Sequence, residues 1–166
     1  MASTTPGSPA LPRRAAQAGA LAAGAVLLGA MSTLAAVEVL TRQDVFALPF
    51  VASAAVVAMA PRAPLARPAA VLIGYAASAL IAVGITTAAG PSAVSATAAA
   101  VGSLVVMLLL TAPHAPAVVC AAFIGMTGPG VLHLLLAVGL AVLIVLGTAL
   151  LAGRLVPHYG YPASWR

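Results

Sequence analysis

Charged side chains are too scarce in this chain to cover a water-facing surface. The 166 residues include seven Lys or Arg and two Asp or Glu, and 63% are hydrophobic. A soluble domain carries about 25% charged residues, because its exterior must stay hydrated. The composition therefore predicts an integral membrane protein in contact with the lipid bilayer. Its length allows about five to seven spans of about 20 residues each.

The polar residues argue against other classes of protein. All seven basic residues are arginines, placed singly or in pairs between apolar runs, so no basic face for nucleic acid is expected. The single cysteine, Cys120, forms neither an internal disulfide nor a multi-cysteine metal site. Both carboxylates flank one loop, and no nucleotide-binding glycine loop is present. We therefore expect no enzyme activity, no metal and no cofactor.

Four long apolar runs predict transmembrane helices. They cover residues 15–37, 69–89, 94–111 and 131–152. Residues 1–14 predict a disordered cytoplasmic tail, residues 15–156 the transmembrane domain, and residues 157–166 a short C-terminal tail. Arg13 and Arg14 would also suit a secretion signal. The run that follows them is long for the apolar part of such a signal, which favours an uncleaved helix.

Two shorter runs interrupt this pattern. Residues 45–60 contain Pro49, and residues 117–127 follow Pro116 and stop at a Gly-Pro-Gly sequence. An 11-residue helix reaches only about 16 Å, roughly half of the hydrocarbon core. Because proline cannot donate a backbone hydrogen bond, it suits the start of a helix. Each short run therefore predicts a half-helix that begins at its proline.

The two halves of the chain match each other. Shifting the chain by 67 residues places Pro49 on Pro116 and Ser53 on Cys120. Three further pairs agree: Ala54 with Ala121, Ala55 with Ala122, and Met59 with Met126. Both halves also share the order of long helix, Pro-started short helix, break and long helix. We interpret residues 15–89 and 94–152 as two copies of a three-segment repeat.

The arginines favour a topology in which the short segments cross the membrane. Six crossings put every arginine except Arg42 on one side, which the positive-inside rule identifies as cytoplasmic. An odd number of segments per half then inverts the second repeat relative to the first, as in many transporters. The predicted fold is all-α and polytopic: four long transmembrane helices plus two short half-helices. Arginine and alanine usage suggests a bacterial inner membrane, with both termini cytoplasmic.

The two proline starts form the candidate site. A helix that begins inside the hydrocarbon must line protein or water, and its free N–H groups favour an anion. Pro49, with the neighbouring Phe50, and Pro116 would begin half-helices that point inward from opposite faces. Ser53 and Cys120 follow one turn later, within reach of a ligand. Alternatively, both prolines only kink packed helices, and Ser53 and Cys120 are small packing residues.

Three histidines are the remaining titratable candidates. His114 precedes the second half-helix, where it would donate to an anion or pass a proton, or simply face water at the loop. His133 and His158 are assigned to the interface. Tyr159, Tyr161 and Trp165 are interpreted as aromatic residues of the membrane interface. Small residues along the long helices are assigned to close packing: Gly19, Gly24, Gly29, Gly74, Ser78, Gly139 and Gly147.

A family resemblance rests on the proline-punctuated segments. These are Leu48-Pro49-Phe50, Ala52-Ser53-Ala54, Pro61, Pro64-Leu65-Ala66, Pro68, Gly74 and Ser78-Ala79. The chain resembles HPP family membrane proteins from about residue 20 onward, and His114-Ala115-Pro116-Ala117 stands at the family's His-Pro-Pro motif. Tyr161-Pro162 and Trp165 are similar to its C-terminal ending. The resemblance implies four transmembrane helices and, from cyanobacterial and chloroplast members, nitrite transport.

Three departures from the family pattern bear on function. Ala115 replaces a proline, valines at 51 and 118 replace glycines that would expose backbone to an ion, and Cys120 replaces a threonine. Our hypothesis is a transporter or channel for a small monovalent anion, nitrite or nitrate by resemblance, bound by Pro49, Phe50, Ser53, His114, Pro116 and Cys120. The alternative is a non-transporting membrane subunit or scaffold derived from a transporter. The small size of the chain also suggests a homodimer.

Overall fold

The computed structural model describes residues 13–165 as a helical protein, and no strand occurs in that part of the chain. A single 3₁₀ turn, Pro64–Ala66, precedes the third of six α-helices. The helices are α1 Arg13–Thr41, α2 Leu48–Met59, α3 Pro68–Ala89, α4 Ala93–Leu109, α5 Ala115–Thr127 and α6 Val131–Leu155. All six segments expected from the sequence are therefore helices, in the expected order.

Three of the four helices expected to be long have the length and hydropathy of membrane spans. These are α1, α3 and α6, of which α3 has 22 residues and α6 has 25. The prediction of a fourth long span is not confirmed for α4, whose 17 residues extend about 25 Å. This helix ends at Leu109, two residues before the predicted end, because Thr111 has a φ of 53° and Ala112 precedes a proline.

The first helix begins earlier than predicted. Arg13 and Arg14 lie in α1, although the predicted tail extended through residue 14. The rest of that tail, residues 1–12, lies outside the described residues. The arginine pair is therefore part of the first helix.

Loop residues explain where the other helices begin and end. Proline lies in the first turn of α2, α3 and α5, where its missing N–H leaves no internal bond unmade. The Ser92 side chain accepts from the Ser95 N–H at 3.0 Å and caps α4. Gly90 and Gly128 have φ values of 74° and 56° after α3 and α5, which glycine adopts without strain.

The helices pack as two groups of three. In the first group α3, α4 and α5 contact one another, and in the second group α1, α2 and α6 do so. The groups meet where α2 contacts α5 and where α3 contacts α6. Each group thus contains one short Pro-started helix, and the two short helices lie against each other at the centre.

The loops form two sets at opposite ends of the bundle. At one end, the Ser92 N–H donates to the Gly125 carbonyl at 3.0 Å, and Asp44 pairs with His133. At the other end, the turn around Leu65 contacts His114 and the C-terminal tail. Each helix connects one set with the other, which is the arrangement that six crossings require.

Large apolar side chains cover the outside of the bundle. Many leucine and valine side chains are exposed on the outside of the bundle. The most exposed, each above 75%, include Leu21, Leu40, Leu80 and Val94. A continuous apolar exterior would be unstable in water but matches lipid. The protein is therefore embedded in the bilayer through several helices.

The C-terminal tail folds back onto the bundle. The hydroxyl of Tyr159 donates to the Val57 carbonyl at 2.9 Å, and that of Tyr161 donates to the Ala66 carbonyl at 3.0 Å. Burial raises the pKa of both tyrosines. The prediction that both face the membrane interface is wrong, because they are 3% and 5% exposed and fill the junction of α2 with α3. Trp165, in contrast, is exposed.

Candidate functional site

The two Pro-started helices lie side by side and begin from opposite ends of the bundle. Ser53, one turn into α2, contacts His114, which directly precedes α5. Cys120, one turn into α5, in turn lies near the start of α2, where it lines the same small cavity as Pro49 and Phe50. The first turns of the two helices therefore pass each other in the middle of the protein.

Four hydrogen-bond contacts link the polar side chains in this region. Ser53 Oγ lies 2.6 Å from Tyr75 Oη and 2.8 Å from His114 Nε2. Tyr75 Oη donates to the Pro49 carbonyl at 2.8 Å. His114 Nδ1 lies 2.8 Å from the Leu65 carbonyl, so that nitrogen carries a proton and donates it. We call Ser53, Tyr75 and His114 the central cluster.

The central cluster is closed to the exterior. Ser53 is 0% exposed, His114 1% and Tyr75 2%. The rings of Phe50 and Tyr75 lie 5.4 Å apart, and those of Tyr75 and His114 lie 5.5 Å apart. The aromatic rings therefore fill the space between the two half-helix starts. Val51 and Val118, the two valines that replace glycines of the family pattern, are half-buried.

Of the predicted site residues, Ser53 and His114 contact each other directly. Pro49 joins them through its carbonyl oxygen, and Phe50 through its ring contact with Tyr75. Cys120 and Pro116 are buried in α5, and no hydrogen bond connects the Cys120 thiol to the central cluster. The structure thus brings four of the six residues into one connected set.

The sequence analysis missed Tyr75. This residue lies in α3 and bonds to groups 22 and 26 positions away in the chain. A usable signal was present, because Tyr75 is the one aromatic residue in the run 69–89. A tyrosine hydroxyl inside hydrocarbon must find a partner.

Close packing of α3 against α5 holds His114 in place. A Cβ added at Gly74 would lie 2.9 Å from the His114 Cβ and 3.2 Å from the Ala117 Cβ. One turn later the Ser78 hydroxyl donates to the Ala117 carbonyl at 2.5 Å. Gly74 therefore allows the approach of the two helices, and Ser78 ties them together outside the central cluster.

The backbone at the two helix starts is largely partnered already. The N–H groups of Phe50 and Val51 both donate to the Ala47 carbonyl, at 3.0 and 3.2 Å. The Ala117 N–H donates to the His114 carbonyl at 3.0 Å. These contacts leave fewer N–H groups for an anion than a bare helix start would offer. Side-chain donors of the central cluster are thus the principal polar groups at this place.

A small cavity lies beside the start of α2. It measures about 20 Å³, and its lining includes Pro49, Phe50, Cys120 and Phe123. Asp44 and His133 form its outer edge and pair at 2.8 Å, where both are partly exposed. One water needs a cavity of roughly 10–15 Å³, so this space has room for about one water.

Two larger cavities lie along α3. One of about 500 Å³ lies between parts of α3 and α6 and is lined almost wholly by apolar side chains, with Tyr75 forming part of its wall. Another of about 400 Å³ lies beside Arg67, between the start of α3 and the end of α4. Within the described residues, no three His, Cys, Asp or Glu side chains come together as a metal site.

Comparison with known proteins identifies the family. The family described as "HPP, transmembrane region" matches residues 12–162, nearly the whole chain. The chain belongs to the HPP transmembrane family. Searches of curated proteins and of solved structures found no match. Ser53 and His114, which carried part of the resemblance to this family, are members of the central cluster.

Proposed function

We propose that this HPP protein carries a small monovalent anion across the membrane, with nitrite or nitrate as its substrate, and that the structure corresponds to a closed conformation. The observation that supports it is the central cluster. Three side chains that form hydrogen bonds with one another lie buried between two short helices, in a protein whose buried residues are mostly apolar. Intramembrane polar groups in such a position commonly mark a substrate pathway.

The position of the central cluster suggests how a carrier would work. Ser53 belongs to the second helix group, whereas Tyr75 and His114 belong to α3 and the start of α5 in the first. Both hydrogen bonds of the Ser53 hydroxyl therefore join the two groups. If the groups rock apart, these bonds break, and the freed donors can turn to an anion beside the positive ends of α2 and α5.

Packing of the helices supports the inverted repeat. Matching α1 with α4, α2 with α5 and α3 with α6 converts each contact inside the first group into a contact inside the second. The α2–α5 and α3–α6 contacts map onto themselves, as expected for elements on a pseudo-two-fold axis in the membrane plane. Alternating access by one group moving against the other follows from this symmetry.

Orientation in a bacterial inner membrane is part of the proposal. Arg62, Arg67 and Arg154 lie at the end of the bundle that holds the C-terminal tail, which would be cytoplasmic. A green fluorescent protein fused after residue 166 should fluoresce, because it folds in the cytoplasm. An active periplasmic reporter at the same position would reverse the assignment.

Nitrite uptake by vesicles containing the purified protein tests the transport function. We expect saturable flux above that of protein-free vesicles, and a large loss in Ser53→Ala and His114→Ala. Ser78→Ala is the matched control, since it also removes a buried hydroxyl but lies outside the central cluster. Flux that is absent, or equally reduced by Ser53→Ala and Ser78→Ala, would reject the proposal.

A second candidate is a non-transporting membrane subunit or scaffold. The closed interior favours it, because every polar atom of the central cluster lies within hydrogen-bonding distance of another polar atom and the cavity beside Pro49 has room for about one water. Under this hypothesis the protein carries no nitrite flux, and Ser53→Ala lowers only its stability. The homodimer expected from the small size of the chain stays a prediction, which the mass of the detergent-solubilised protein would test.

A further inference from the structure

The central cluster has one proton fewer than its contacts require. Two of its contacts end on carbonyl oxygens, which only accept, so the His114 Nδ1 proton goes to Leu65 and the Tyr75 proton goes to Pro49. Two contacts remain, His114 Nε2 with Ser53 Oγ and Ser53 Oγ with Tyr75 Oη. With a neutral imidazole, only the Ser53 hydroxyl proton is left to fill both.

A proton on His114 Nε2 removes this shortage. Nε2 then donates to Ser53, Ser53 donates to Tyr75, and Tyr75 donates to the Pro49 carbonyl. Each of these three contacts then holds one proton, and all three hydrogen bonds run in the same direction, from His114 to Pro49. At separations of 2.6 and 2.8 Å, a contact without a proton would set oxygen or nitrogen lone pairs against each other.

Within residues 13–165, no charged protein group is placed to balance the positive charge of such an imidazolium. The neighbours of His114 are Ser53 of α2, Gly74 and Tyr75 of α3, Leu65 of the 3₁₀ turn, and Ala117 of α5. None of them carries a charge at neutral pH.

The two acidic side chains of the chain, Glu38 and Asp44, lie at the far end of the bundle. Glu38 accepts from the Phe46 N–H, and Asp44 pairs with His133. Arg67, two residues beyond Leu65, would add positive charge and not balance it. A buried charge without a partner is strongly disfavoured. The balancing charge must therefore arrive with a ligand.

We infer that the central cluster takes up one proton and one monovalent anion together, so that transport by this protein is an electroneutral proton–anion symport. This inference rests on the proposed function and names its coupling ion. The proton enters from solvent, binds His114 Nε2 and leaves with the anion on the other side. On uptake the Nε2–H bond forms as an O–H bond of a solvent hydronium ion breaks, and on release the Nε2–H bond breaks as the proton returns to water on the other side.

Vesicles with a trapped pH dye and a clamped membrane potential test the inference, with nitrite and nitrate as probes. Nitrate is included because nitric acid is fully ionised and does not leak across lipid, whereas nitrous acid does. We expect the protein-dependent flux to acidify the interior by one proton per anion and to be unaffected by an imposed potential. Saturable flux driven by the potential, without acidification, overturns the inference and leaves the proposed function intact. Absence of any protein-dependent flux rejects both.

Tyr75→Phe tests whether the missing proton of the central cluster, and not a general loss of structure, couples proton uptake to anion flux. Without the Tyr75 hydroxyl, the Ser53 proton satisfies His114 Nε2, so the neutral ring needs no second proton, and only the Pro49 carbonyl loses its side-chain donor. We expect the remaining anion flux to lose its proton signal. Tyr159→Phe, which also removes a buried tyrosine hydroxyl, should keep it. A proton signal that survives in Tyr75→Phe contradicts the inference.

Direct observation of the ring provides a measurement that does not depend on flux. Replacing His133 and His158 by Gln leaves His114 as the single histidine of the protein. Nitrogen-15 NMR of this variant in lipid should show a neutral imidazole protonated at Nδ1 without anion, and an imidazolium when nitrite saturates the site. A ring that stays neutral at saturation overturns the inference.

Discussion

The two helix groups use their glycines in different ways. In the first group, Cβ atoms added at Gly74, Gly102 and Gly125 would all meet a neighbouring helix at 3.3 Å or less. In the second group, α1 and α6 contain glycines with nothing within 4 Å: Gly19, Gly24, Gly29, Gly139 and Gly147. Close helix packing was predicted for glycines in both groups, but among these five and Gly74 it holds for Gly74 alone.

This difference indicates which part of the protein is rigid. Glycine contacts let the backbones of α3, α4 and α5 approach closely, so that a shift of one helix disturbs the others. In the second group no glycine lies that close to a neighbouring helix. Gly153 of α6 instead packs against the backbone of Tyr161 in the C-terminal tail, and the helices are held by ordinary side-chain packing. We expect the first group to move as a unit and α2, with Ser53, to move relative to it.

The largest expected effect comes from Gly125→Ala. The new Cβ would lie 2.5 Å from the Ala96 Cα and 2.7 Å from the Ala96 N. Because those atoms are backbone, neither helix can yield locally, and α4 must separate from α5. We expect a loss of about 3 kcal/mol or more in the free energy of unfolding. Thermal unfolding in detergent measures it.

Gly139→Ala in α6 is the matched control. Its Cβ would meet nothing within 4 Å, and alanine favours helix over glycine by about 1 kcal/mol. This variant should be as stable as the natural protein or slightly more so. Equal losses in both variants would mean that the two groups are packed alike.

Gly74→Ala should have the next largest effect and should act on the central cluster. Its Cβ would lie 2.9 Å from the Cβ of His114, so the histidine must shift away from Ser53. We expect a loss of about 1–3 kcal/mol in stability, together with reduced nitrite flux. Gly84→Ala, in open space on the same helix, is the control. Normal flux in Gly74→Ala would show that the position of His114 is unimportant.

Helix order and most boundaries were predictable because local residues determine them. Pro49 and Pro116 lie at the starts of helices, and Gly90 and Gly128 lie at the ends. Each of these residues acts within a single helical turn, so its effect can be recognised in the sequence. The end of α4 was misplaced by two residues because apolar character continues past Leu109, while the backbone turns at Thr111. Hydropathy alone does not contain that information.

Contacts between distant parts of the chain were the least predictable. The bond of Tyr159 to Val57 spans 102 positions, and that of His133 to Asp44 spans 89. Ser53 and His114 were chosen separately, from proline spacing and from charge, and their direct contact depends on how α2 and α5 pass each other. As the one aromatic residue of its run, Tyr75 signals that its hydroxyl needs a partner, but only the packing of α3 determines that the partners are Ser53 and Pro49.

Tyr159→Phe tests the tail that joins the two groups, and its expected effect is smaller. Loss of one hydrogen bond leaves the buried Val57 carbonyl without its side-chain donor, which costs about 1 kcal/mol. Amide hydrogen exchange in residues 156–165 should become faster, while exchange in α3 to α5 stays the same. Trp165→Phe, which changes an exposed aromatic residue of the same tail, is the control.

The same tail should respond to high pH. Burial raises the pKa of Tyr159 and Tyr161 in the folded protein, so the unfolded tail loses its protons first, above a pH of about 10. Stability from the docked tail is complete below that pH and falls as the pH rises further. In Tyr159→Phe this decrease should be smaller. An identical pH profile would mean that Tyr159 is not buried in the protein as it exists in lipid.

Asp44→Asn should have the smallest effect, and for that reason it is a sensitive test of how the second group is held. The Asp44–His133 pair joins the loop before α2 to the start of α6, both in the second group, and both side chains are partly exposed. Exposed pairs contribute about 0.2–1 kcal/mol and weaken as salt screens them. We expect a stability loss in this range that disappears in high salt, measured by unfolding at two salt concentrations. A larger loss that persists in high salt would mean that this pair fixes α6 to the α2 loop. The second group would then be as rigid as the first, and movement of α2 against α5 would need another origin.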